Sequence, residues 1–350
     1  MTTSAKKEDR QHMKKLRRTV FAGLFLCLLI LAGSVSVHAE IHFDRASVNV
    51  LKGKTRKVRI FCKGKYSIAT TNKSVATVSH SGKVKGKRAG NCEIVVTCGT
   101  ESARIPVHVL RSLRAGDILF VGHRGDQKKY PENTIPSFMG ALNYGADGVE
   151  FDVHLTNSGD LLVFHDRSLS RMCGKPGDIQ DLTEKTRADY PVTKNKKRAP
   201  IPTLEETLRY LKSRNAVAFI HLKNASRFIG RGTDLVVQCI RACGMEEQSV
   251  VFNSNYDAIL YFHTHYPEIQ SGYCYSGSSL SEAHAAMRHA SDCGASWFYF
   301  FDKNMISYSN IQFAHQCGLK AGLYRTRKKS EIFALLDYGA DFTMMYRRLI

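Results

Sequence analysis

The sequence lacks several features that would place it at once in a common class. It contains no CxxC pair and no Cys/His spacing of the kind that holds zinc. No basic block is interleaved with aromatic residues, as a groove for nucleic acid requires. The apolar run at residues 19–33 has about 15 residues, whereas a spanning helix needs roughly 20. These absences argue against a zinc site and against nucleic acid as a partner.

Acidic residues are also scarce. The chain has 31 Asp and Glu against 51 Lys and Arg, which gives a formal net charge of +20. Residues 1–39 carry seven of the basic and two of the acidic residues, so +15 remains without them. Such a field favours anionic partners, among them phospholipid surfaces, phosphodiesters and wall polymers. A Lys-rich surface that only keeps the protein soluble is the alternative interpretation.

The first 39 residues have the three parts of a signal peptide in the right order. A basic stretch at 14–18 precedes the apolar run at 19–33, and Val37-His38-Ala39 fits the small-x-small rule of a cleavage site. Leu26 before Cys27 argues against a lipoprotein site. We therefore predict an exported protein, secreted or at the cell surface, with residues 1–39 as its signal peptide. The alternative is an uncleaved membrane anchor formed by residues 19–33.

The cysteines cannot form a complete disulfide framework. Nine of the ten follow residue 39, and an odd number cannot all pair. Cys92 and Cys98 lie in one predicted strand, whose rise separates them by roughly 20 Å, beyond disulfide reach. Cys62 could bridge to either of them across strands, and buried free thiols are the other interpretation.

Residues 41–110 show the alternation and turn signals of a small all-β domain. Apolar and polar residues alternate at 57–60 and 93–96, and turn residues stand at 52–53 and 81–82. The pattern predicts a β-sandwich of about 70 residues. The segment SVATVSHSGKVKG resembles the bacterial immunoglobulin-like domain of group 2, whose members usually act as spacers or adhesion units on exported proteins. That resemblance implies no chemistry in this domain.

After a short linker at 111–116, apolar β-rich runs alternate with helical periodicity. The predicted strands are 118–122, 148–153, 217–222, 249–252, 270–275, 297–301, 320–324 and 341–345. The predicted helices are 134–144, 204–213, 234–243, 256–265, 281–290, 307–317 and 330–338. Eight strands that alternate with seven helices over 116–350 predict a TIM-type (β/α)8 barrel, with a doubly wound open sheet as the alternative.

Two carboxylates lie in the second predicted barrel strand. Glu150 and Asp152 are two residues apart, so their side chains point to the same side. Two inward carboxylates are costly unless a cation neutralises them, and a hard divalent ion suits them. His221 and Lys223 form a second same-side pair at the end of the third strand. A surface pair in a different fold is the alternative interpretation of the two carboxylates.

Histidines and cations follow the neighbouring strand ends, where a barrel of this type gathers its active site. His123 and Arg124 follow the first strand, and His165 follows a short hairpin after the second. Histidine can serve as general acid or base near neutral pH, and Arg124 and Lys223 can bind phosphate oxygens. A lone histidine after a strand is more often structural. Here the residues follow successive strand ends within about 100 residues, which favours hydrolysis of a phosphodiester.

The segment from VGHRGDQKKYPENTIPSF to VFHDRSLSR resembles the opening of the glycerophosphodiester phosphodiesterase family almost continuously. The matching elements are HRG, PENT-x-x-SF, GAD-G-V-E-x-D-V and HD-x-x-L-x-R, and IPTLEETL matches the next segment. The resemblance covers 116–350. It implies cleavage of glycerophosphodiesters to glycerol 3-phosphate and an alcohol, with one divalent metal ion, typically Ca²⁺ or Mg²⁺. It also implies that Glu150 and Asp152 bind the metal, that His123 and His165 are the acid–base pair, and that Arg124 and Lys223 bind phosphate.

Three positions depart from the family pattern. The third strand usually ends in Glu-x-Lys, whose Glu is the third metal ligand, and His221 stands in its place. The substrate pocket has Tyr324 where the family usually has Trp, and Met345-Tyr346 replaces a Thr-Asp pair. His221 as a ligand would favour Mn²⁺ or another transition metal over Ca²⁺.

Two functions stay open at this point. The first is an active, metal-dependent hydrolase of glycerophosphodiesters, which the persistence of both histidines and both carboxylates favours. The second is a catalytically impaired barrel that binds lipid headgroups or cell-wall polymer at the cell surface. The predicted partners are a small glycerophosphodiester and, beyond it, cell-wall polymer or an anionic lipid surface.

Overall fold

The computed structural model describes residues 41–113 and 118–349. The predicted signal peptide, its cleavage site and the alternative membrane anchor lie outside the described residues. Within the two described ranges, no helix has the length and apolarity needed to cross a membrane.

The N-terminal part is an all-β unit of short strands. They are β1 (His42–Phe43), β2 (Val48–Leu51), β3 (Thr55–Lys57), β4 (Ile60–Phe61), β5 (Tyr66–Thr70), β6 (Ala76–Val78), β7 (Lys83–Gly86), β8 (Gly90–Cys98) and β9 (Glu101–Leu110). A four-stranded sheet in the order β2-β9-β8-β5 and a three-stranded sheet in the order β3-β7-β6 share one core of buried valine and isoleucine side chains. This arrangement is consistent with the predicted sandwich. The immunoglobulin-like resemblance stays a prediction.

The cysteines of the described residues are all free thiols. Of the two partners proposed for Cys62, Cys98 is the one it contacts, and the hydrogen bond between the two thiols raises the pKa of Cys62. Cys92 instead accepts a hydrogen bond from the hydroxyl of Thr70. The sequence alone left these two partners open.

Residues 118–349 form the predicted (β/α)8 barrel and not the open sheet. Their strands are β10 (Leu119–His123), β11 (Gly148–Leu155), β12 (Leu161–Val163), β13 (Val192–Lys194), β14 (Lys197–Ala199), β15 (Val217–Leu222), β16 (Ser249–Asn253), β17 (Gln270–Tyr275), β18 (Trp297–Phe300), β19 (Lys320–Thr326) and β20 (Phe342–Met345). Strand β12 pairs antiparallel with β11, and β13 and β14 form a separate hairpin. The other eight strands are parallel, and β10 pairs with both β11 and β20, so the sheet closes on itself.

Helices alternate with these strands along the chain. They are α1 (Ile135–Asn143), α2 (Ser170–Cys173), α3 (Leu204–Ser213), α4 (Arg231–Ala242), α5 (Tyr256–His265), α6 (Leu280–Asp292), α7 (Tyr308–Gln316) and α8 (Lys329–Tyr338). Helix α3 illustrates why the apolar periodicity predicts the helices, because Leu204, Leu208 and Leu211 are all buried on one face. Thr203 and Glu206 form a capping box at its start. The predicted borders of the barrel strands and their helices differ from the observed ones by three residues or fewer.

Aromatic side chains fill the barrel interior beneath the carboxyl ends of the strands. The ring centroid of Phe219 lies 5.2 Å from that of Phe252 and 5.3 Å from those of Trp297 and Phe342. Such pairs add about 0.5–1.5 kcal/mol each beyond the burial of their area. Phe219 precedes His221 by two residues on β15, so both point to the same side of the strand. The packed rings therefore lie directly beneath the polar residues at the carboxyl ends of the strands.

A buried carboxylate joins the β unit to the barrel. Asp337 of α8 is 0% exposed. It accepts hydrogen bonds from the guanidinium groups of Arg45 and Arg56, at 2.5 Å each, and from the backbone amide of Asn49 at 2.7 Å. Because two cations and an amide surround it, the charge of Asp337 is compensated in the interface.

Candidate active site

The carboxylates of β11 are buried inside the barrel. Glu150 is 0% and Asp152 is 1% exposed. Parallel pairing of β11 with β15 sets Asp152 beside His221. One ligand atom from each of these three residues lies within 4.8 Å of the other two. The three residues predicted to surround a metal therefore meet at one place.

Burial and neighbouring charges shift the pKa values of the two carboxylates in opposite directions. Burial, together with the charge of Asp152, raises the pKa of Glu150 well above its ordinary value. Burial acts in the same direction on Asp152, but the hydrogen bond from His221 and the charge of Arg124 outweigh it and hold that pKa well below its ordinary value. The Oε1 atom of Glu150 is buried and has no hydrogen-bond partner in the described part of the chain. A divalent cation would complete this arrangement.

His221 lies between the two carboxylates. Its Nδ1 atom is 3.0 Å from Oδ1 of Asp152 and 4.0 Å from Oε1 of Glu150. Burial lowers the pKa of His221, so the ring is neutral near pH 7 and Nδ1 donates its proton to Asp152. The same nitrogen faces the place where a cation would lie. A metal bound to His221 would therefore replace this hydrogen bond.

His123 is buried, and both of its ring nitrogens are hydrogen-bonded. The Nε2 atom of Gln127 lies 2.7 Å from Nδ1 of His123 and 3.0 Å from its backbone oxygen. Because a backbone oxygen can only accept, the side-chain atom of Gln127 that faces it is the amide nitrogen. That NH2 group also donates to Nδ1 of His123, so Nδ1 is an acceptor. The proton of the neutral ring therefore lies on Nε2, which donates to the hydroxyl of Tyr324 at 2.7 Å. Burial and the charge of Arg124 lower the pKa of His123 well below its ordinary value and favour this neutral form.

His165 follows the hairpin strand β12 and is oriented by an acidic neighbour. Its Nδ1 atom lies 2.6 Å from Oδ1 of Asp166, which also pairs with Arg171 of α2. Burial acts to raise the pKa of Asp166, but the hydrogen bonds from Arg171 and His165 outweigh it and lower the pKa to about 2. Asp166 is therefore ionised at neutral pH. It fixes the proton of His165 on Nδ1 and leaves Nε2 as the accepting atom.

The loop between β10 and α1 brings two side chains onto Asp152. The Nε atom of Arg124 lies 3.2 Å from Oδ2 of Asp152, and Nδ2 of Asn133 donates to the same oxygen at 2.9 Å. Arg124 and Asn133 have φ values of 53° and 57°, a conformation that few residues other than glycine adopt. Lys223 approaches Asp152 as well, with Nζ 3.7 Å from Oδ1. The two cations predicted to bind phosphate therefore both lie at the carboxylates.

Sequence reasoning missed some of the contacts around the histidines. Gln127 follows the HRG motif in a polar loop, and nothing in the sequence distinguishes it from its neighbours. The sequence predicts Tyr324 only as a residue of the substrate pocket, whereas its hydroxyl bonds both His123 and, at 3.3 Å, the guanidinium of Arg124. Asp166 could have been found, because an acid directly after a candidate catalytic histidine is a common orienting partner.

A cavity of about 260 Å³ opens beside this cluster. Its lining includes His221 and Lys223 together with Asn224, Ser254, Ser276 and Phe301. The walls combine the ammonium group of Lys223 and neutral polar groups with the ring of Phe301. Their size and polarity suit a small polyol.

The geometry agrees with the comparison to known sequences. A sequence model described as the Glycerophosphoryl diester phosphodiesterase family matches residues 123–344, more than half of the chain. The chain belongs to this family. A glycerophosphodiester phosphodiesterase of Caldanaerobacter subterraneus subsp. tengcongensis is 30% identical over 227 residues, which are 64% of this chain and 91% of that protein. A glycerophosphodiester phosphodiesterase of Bacillus subtilis is 25% identical over 248 residues, 63% of this chain and 81% of that protein.

Solved structures of phosphodiesterases share the barrel. The glycerophosphodiester phosphodiesterase from Agrobacterium tumefaciens superimposes with a TM-score of 0.55 at 22% identity, covering 66% of this chain and 97% of that one. A phosphodiesterase from Oleispira antarctica, solved in complex with the product sn-glycerol-3-phosphate, gives a TM-score of 0.54 at 20% identity, covering 66% and 94%. At these identities the likeness shows the common fold.

Proposed function

We propose that this protein is a metal-dependent glycerophosphodiester phosphodiesterase that releases glycerol 3-phosphate and an alcohol. The observation that carries the proposal is the meeting of two carboxylates, three histidines and two cations at one end of the barrel. Membership of the family supports the same reaction. The Oleispira antarctica phosphodiesterase of the same fold, with its bound sn-glycerol-3-phosphate, supports the product.

The residues present fit a divalent cation. The buried Oε1 atom of Glu150 lacks a hydrogen-bond partner among the described residues, and ligand atoms of Asp152 and His221 lie nearby. These three residues would hold the ion, which would polarise a phosphoryl oxygen and neutralise developing charge. Two carboxylates suit Ca²⁺ or Mg²⁺, whereas the imidazole of His221 is better tolerated by Mn²⁺ or another transition metal.

The protein's own side chains divide the acid–base work. His165 accepts on Nε2 the proton of the attacking hydroxyl group, and the ionised Asp166 stabilises the imidazolium that results. His123 first takes up a second proton from solvent to form the imidazolium, then donates its Nε2 proton to the departing alcohol and is left as a neutral ring. Arg124 and Lys223 bind the phosphate oxygens as charge-assisted donors.

Release of glycerol 3-phosphate from glycerophosphocholine tests the proposal. With Mg²⁺ or Mn²⁺ present, His123→Ala and His165→Ala each lower turnover at least about 100-fold, the scale of losing an acid–base group. His289→Ala is the matched control, because His289 of α6 stacks on Tyr256 in the helical layer, with ring centroids 3.9 Å apart. All variants should keep a native circular dichroism spectrum. Near-wild-type turnover of either active-site variant would remove that histidine from the mechanism.

His221 in place of the family's third carboxylate favours a second candidate function. A barrel whose metal site is too weak for turnover would bind lipid headgroups or cell-wall polymer without cleaving them. Saturable binding of glycerol 3-phosphate, without release of product in the presence of Mg²⁺, Ca²⁺ or Mn²⁺, would support this function over hydrolysis. For either function we propose an exported protein, on the basis of residues 1–39 of the sequence.

A further inference from the structure

The positive charge of the protein is concentrated in its β unit. Residues 41–113 contain 15 Lys and Arg against three Asp and Glu, a net charge of +12. Residues 114–350 contain 29 basic and 25 acidic residues, a net charge of only +4 over more than three times the length. A field this localised attracts anions to the β unit in particular.

Five exposed side chains on one side of the β unit form a basic patch that ends in an aromatic ring. Exposed and inward-facing residues alternate from 55 to 61, so Lys57, Arg59 and Phe61 share one side. On the neighbouring strand β7, Lys83 and Lys85 are exposed and alternate with buried residues. Antiparallel pairing of β3 with β7 sets Lys57 directly opposite Lys83, on the same side of the sheet. We call these five residues the basic face.

The lysines of the basic face are not neutralised. In the part of the chain that the structure describes, Lys57, Lys83 and Lys85 form no ion pair with a carboxylate. The carboxylate of Asp44, which borders the face, instead accepts two hydrogen bonds from Arg45, at 2.8 and 2.9 Å. Like charges directly opposite each other, as Lys57 and Lys83 are, destabilise a sheet. An anionic partner would remove this repulsion.

Phe61 gives the basic face an apolar component. It is 52% exposed, and the exposed Lys63 and Lys65 follow it in the loop after β4. Peripheral membrane proteins usually combine basic charge with apolar side chains that insert into the lipid. A polyanion in solution complements the lysines but offers no apolar phase for the ring. The composition of the basic face therefore favours an anionic lipid surface as its partner.

We propose that the basic face is the surface by which this protein docks on a membrane rich in anionic phospholipid. The lysines lie against the headgroup phosphates, and Phe61 inserts at the boundary between headgroups and acyl chains. The β unit meets the barrel through Asp337, away from Glu150 and Asp152, so docking leaves the candidate active site unchanged. The proposal concerns the β unit alone and holds whichever function the barrel has.

Co-sedimentation with lipid vesicles tests this proposal, with residues 40–350 as the protein so that the apolar run at 19–33 adds no affinity of its own. At about 50 mM NaCl, vesicles of phosphatidylglycerol and phosphatidylcholine in equal parts should bind at least about 100-fold more tightly than pure phosphatidylcholine. In the triple variant Lys57→Gln, Lys83→Gln, Lys85→Gln, the affinity for the mixed vesicles should fall about 100-fold, since each lysine at an anionic surface contributes about fivefold. At about 500 mM NaCl this difference should disappear, because salt screens exposed charges.

A matched control removes three exposed lysines from the barrel, with Lys185→Gln, Lys303→Gln and Lys329→Gln. It changes the net charge equally and should bind the mixed vesicles as the wild-type protein does. The variant of the basic face should be at least as stable as wild type in urea unfolding, because it removes a repulsive lysine pair. Equal loss of binding in the two triple variants would overturn the proposal, by showing attraction to net charge alone. No binding of the wild-type protein to the mixed vesicles would overturn it as well.

Phe61→Ala distinguishes a lipid surface from a polyanion in solution. It should weaken binding to the mixed vesicles about 10-fold, since a partly exposed ring loses its place in the lipid. Leu280→Ala, at a residue of the barrel that is 54% exposed, is the matched control and should bind as wild type. Affinity for soluble inorganic polyphosphate should not change in Phe61→Ala. Vesicle binding that Phe61→Ala leaves unchanged, with polyphosphate binding lost in the lysine variant, would assign the basic face to a soluble polyanion and overturn the proposal. These assays measure binding alone, so an inactive barrel does not affect their outcome.

Discussion

Among single residues, His221 distinguishes this site most clearly from one that holds its metal with three carboxylates. The register between β11 and β15 places position 221 beside Asp152, so any side chain there enters the surroundings of the cation. Imidazole brings no negative charge and offers a nitrogen where the family pattern has an oxygen. Metal preference is therefore expected to depend on this position.

We expect His221→Glu to raise turnover supported by Ca²⁺ and to weaken the preference for transition metals, because Ca²⁺ gains affinity from ligand charge. His221→Ala should depress turnover with every metal, since it removes a donor without replacing it. The measurement is the rate of glycerol 3-phosphate release across Ca²⁺, Mg²⁺ and Mn²⁺. If His221→Ala behaves like the wild-type protein with all three, the histidine is not a ligand.

The proposed mechanism gives the other two histidines opposite roles, which a change of leaving group tests. A p-nitrophenolate departs without a proton, so His123→Ala should come within about 10-fold of wild type on a p-nitrophenyl ester of glycerol phosphate. On glycerophosphocholine the same variant should stay at least about 100-fold impaired. His165→Ala should be impaired equally on both substrates. If His165→Ala, and not His123→Ala, regains activity on the p-nitrophenyl ester, the two roles are reversed.

At the scale of elements, the loop between β10 and α1 fixes the position of Asp152. Asn133 holds Asp152 from two sides: its Nδ2 donates to Oδ2, and its Oδ1 accepts from the backbone amide at 3.3 Å. Asn133 does so from a φ of 57°, which asparagine tolerates better than most residues. Side-chain contacts and backbone conformation are therefore both needed at this position.

Replacement of Asn133 by glycine and by alanine separates these two contributions. Both variants lose the bonds to Asp152, so both should lose about 10-fold in kcat/KM, a 1.4 kcal/mol effect on the scale of a charge-assisted hydrogen bond. Glycine adopts a positive φ freely, so Asn133→Ala should be less stable than Asn133→Gly by about 1 kcal/mol in urea unfolding. Full activity of Asn133→Gly would show that the side chain does not position Asp152.

The elements that the sequence predicted well are those with buried, periodic patterns. Strand β15 is an apolar run interrupted only by His221, and α3 and α5 have clear helical spacing, so their predicted borders are confirmed. Helix α2 and the β13–β14 hairpin were not predicted. They lie in a polar stretch without periodicity, and the hairpin turns on Asn195 and Lys196, which both have positive φ. Lysine at the second turn position hides the usual Asn-Gly signal.

The same reasoning explains what could be predicted of the site. Glu150 and Asp152 were found because alternation along one strand places them together, and His221 because it ends a neighbouring strand. The role of Tyr324 depends on a contact between residues 201 positions apart, which no local pattern encodes. Gln127 belongs to an irregular loop whose course only the structure gives.

On the scale of the whole molecule, the two units are joined by the buried Asp337. It lies in the last turn of α8, at the end of the barrel opposite the active site, and compensates Arg45 and Arg56. Removal of the carboxylate leaves two arginines beside each other in the interface. Breaking a buried ion pair in this way typically costs about 3–5 kcal/mol.

Asp337→Ala should therefore lower the free energy of unfolding by about 3–5 kcal/mol if the two units unfold together. Urea unfolding monitored by circular dichroism measures the change, and Glu268→Ala, at the half-exposed ion pair with Arg241, is the milder comparison. Turnover in the absence of urea should stay near wild type, because the interface does not contact the active site. An unchanged unfolding curve would show that this interface does not stabilise the molecule.

Removal and return of the metal tests the central claim most directly. The protein would be dialysed against EDTA, then against metal-free buffer, and assayed for glycerol 3-phosphate release from glycerophosphocholine before and after addition of Mg²⁺, Ca²⁺ or Mn²⁺. We predict that turnover disappears on dialysis, returns with at least one of these ions in the wild-type protein, and does not return in Glu150→Gln. Full turnover of the dialysed protein without added metal, or full restoration of Glu150→Gln, would contradict a metal-dependent phosphodiesterase site at Glu150, Asp152 and His221.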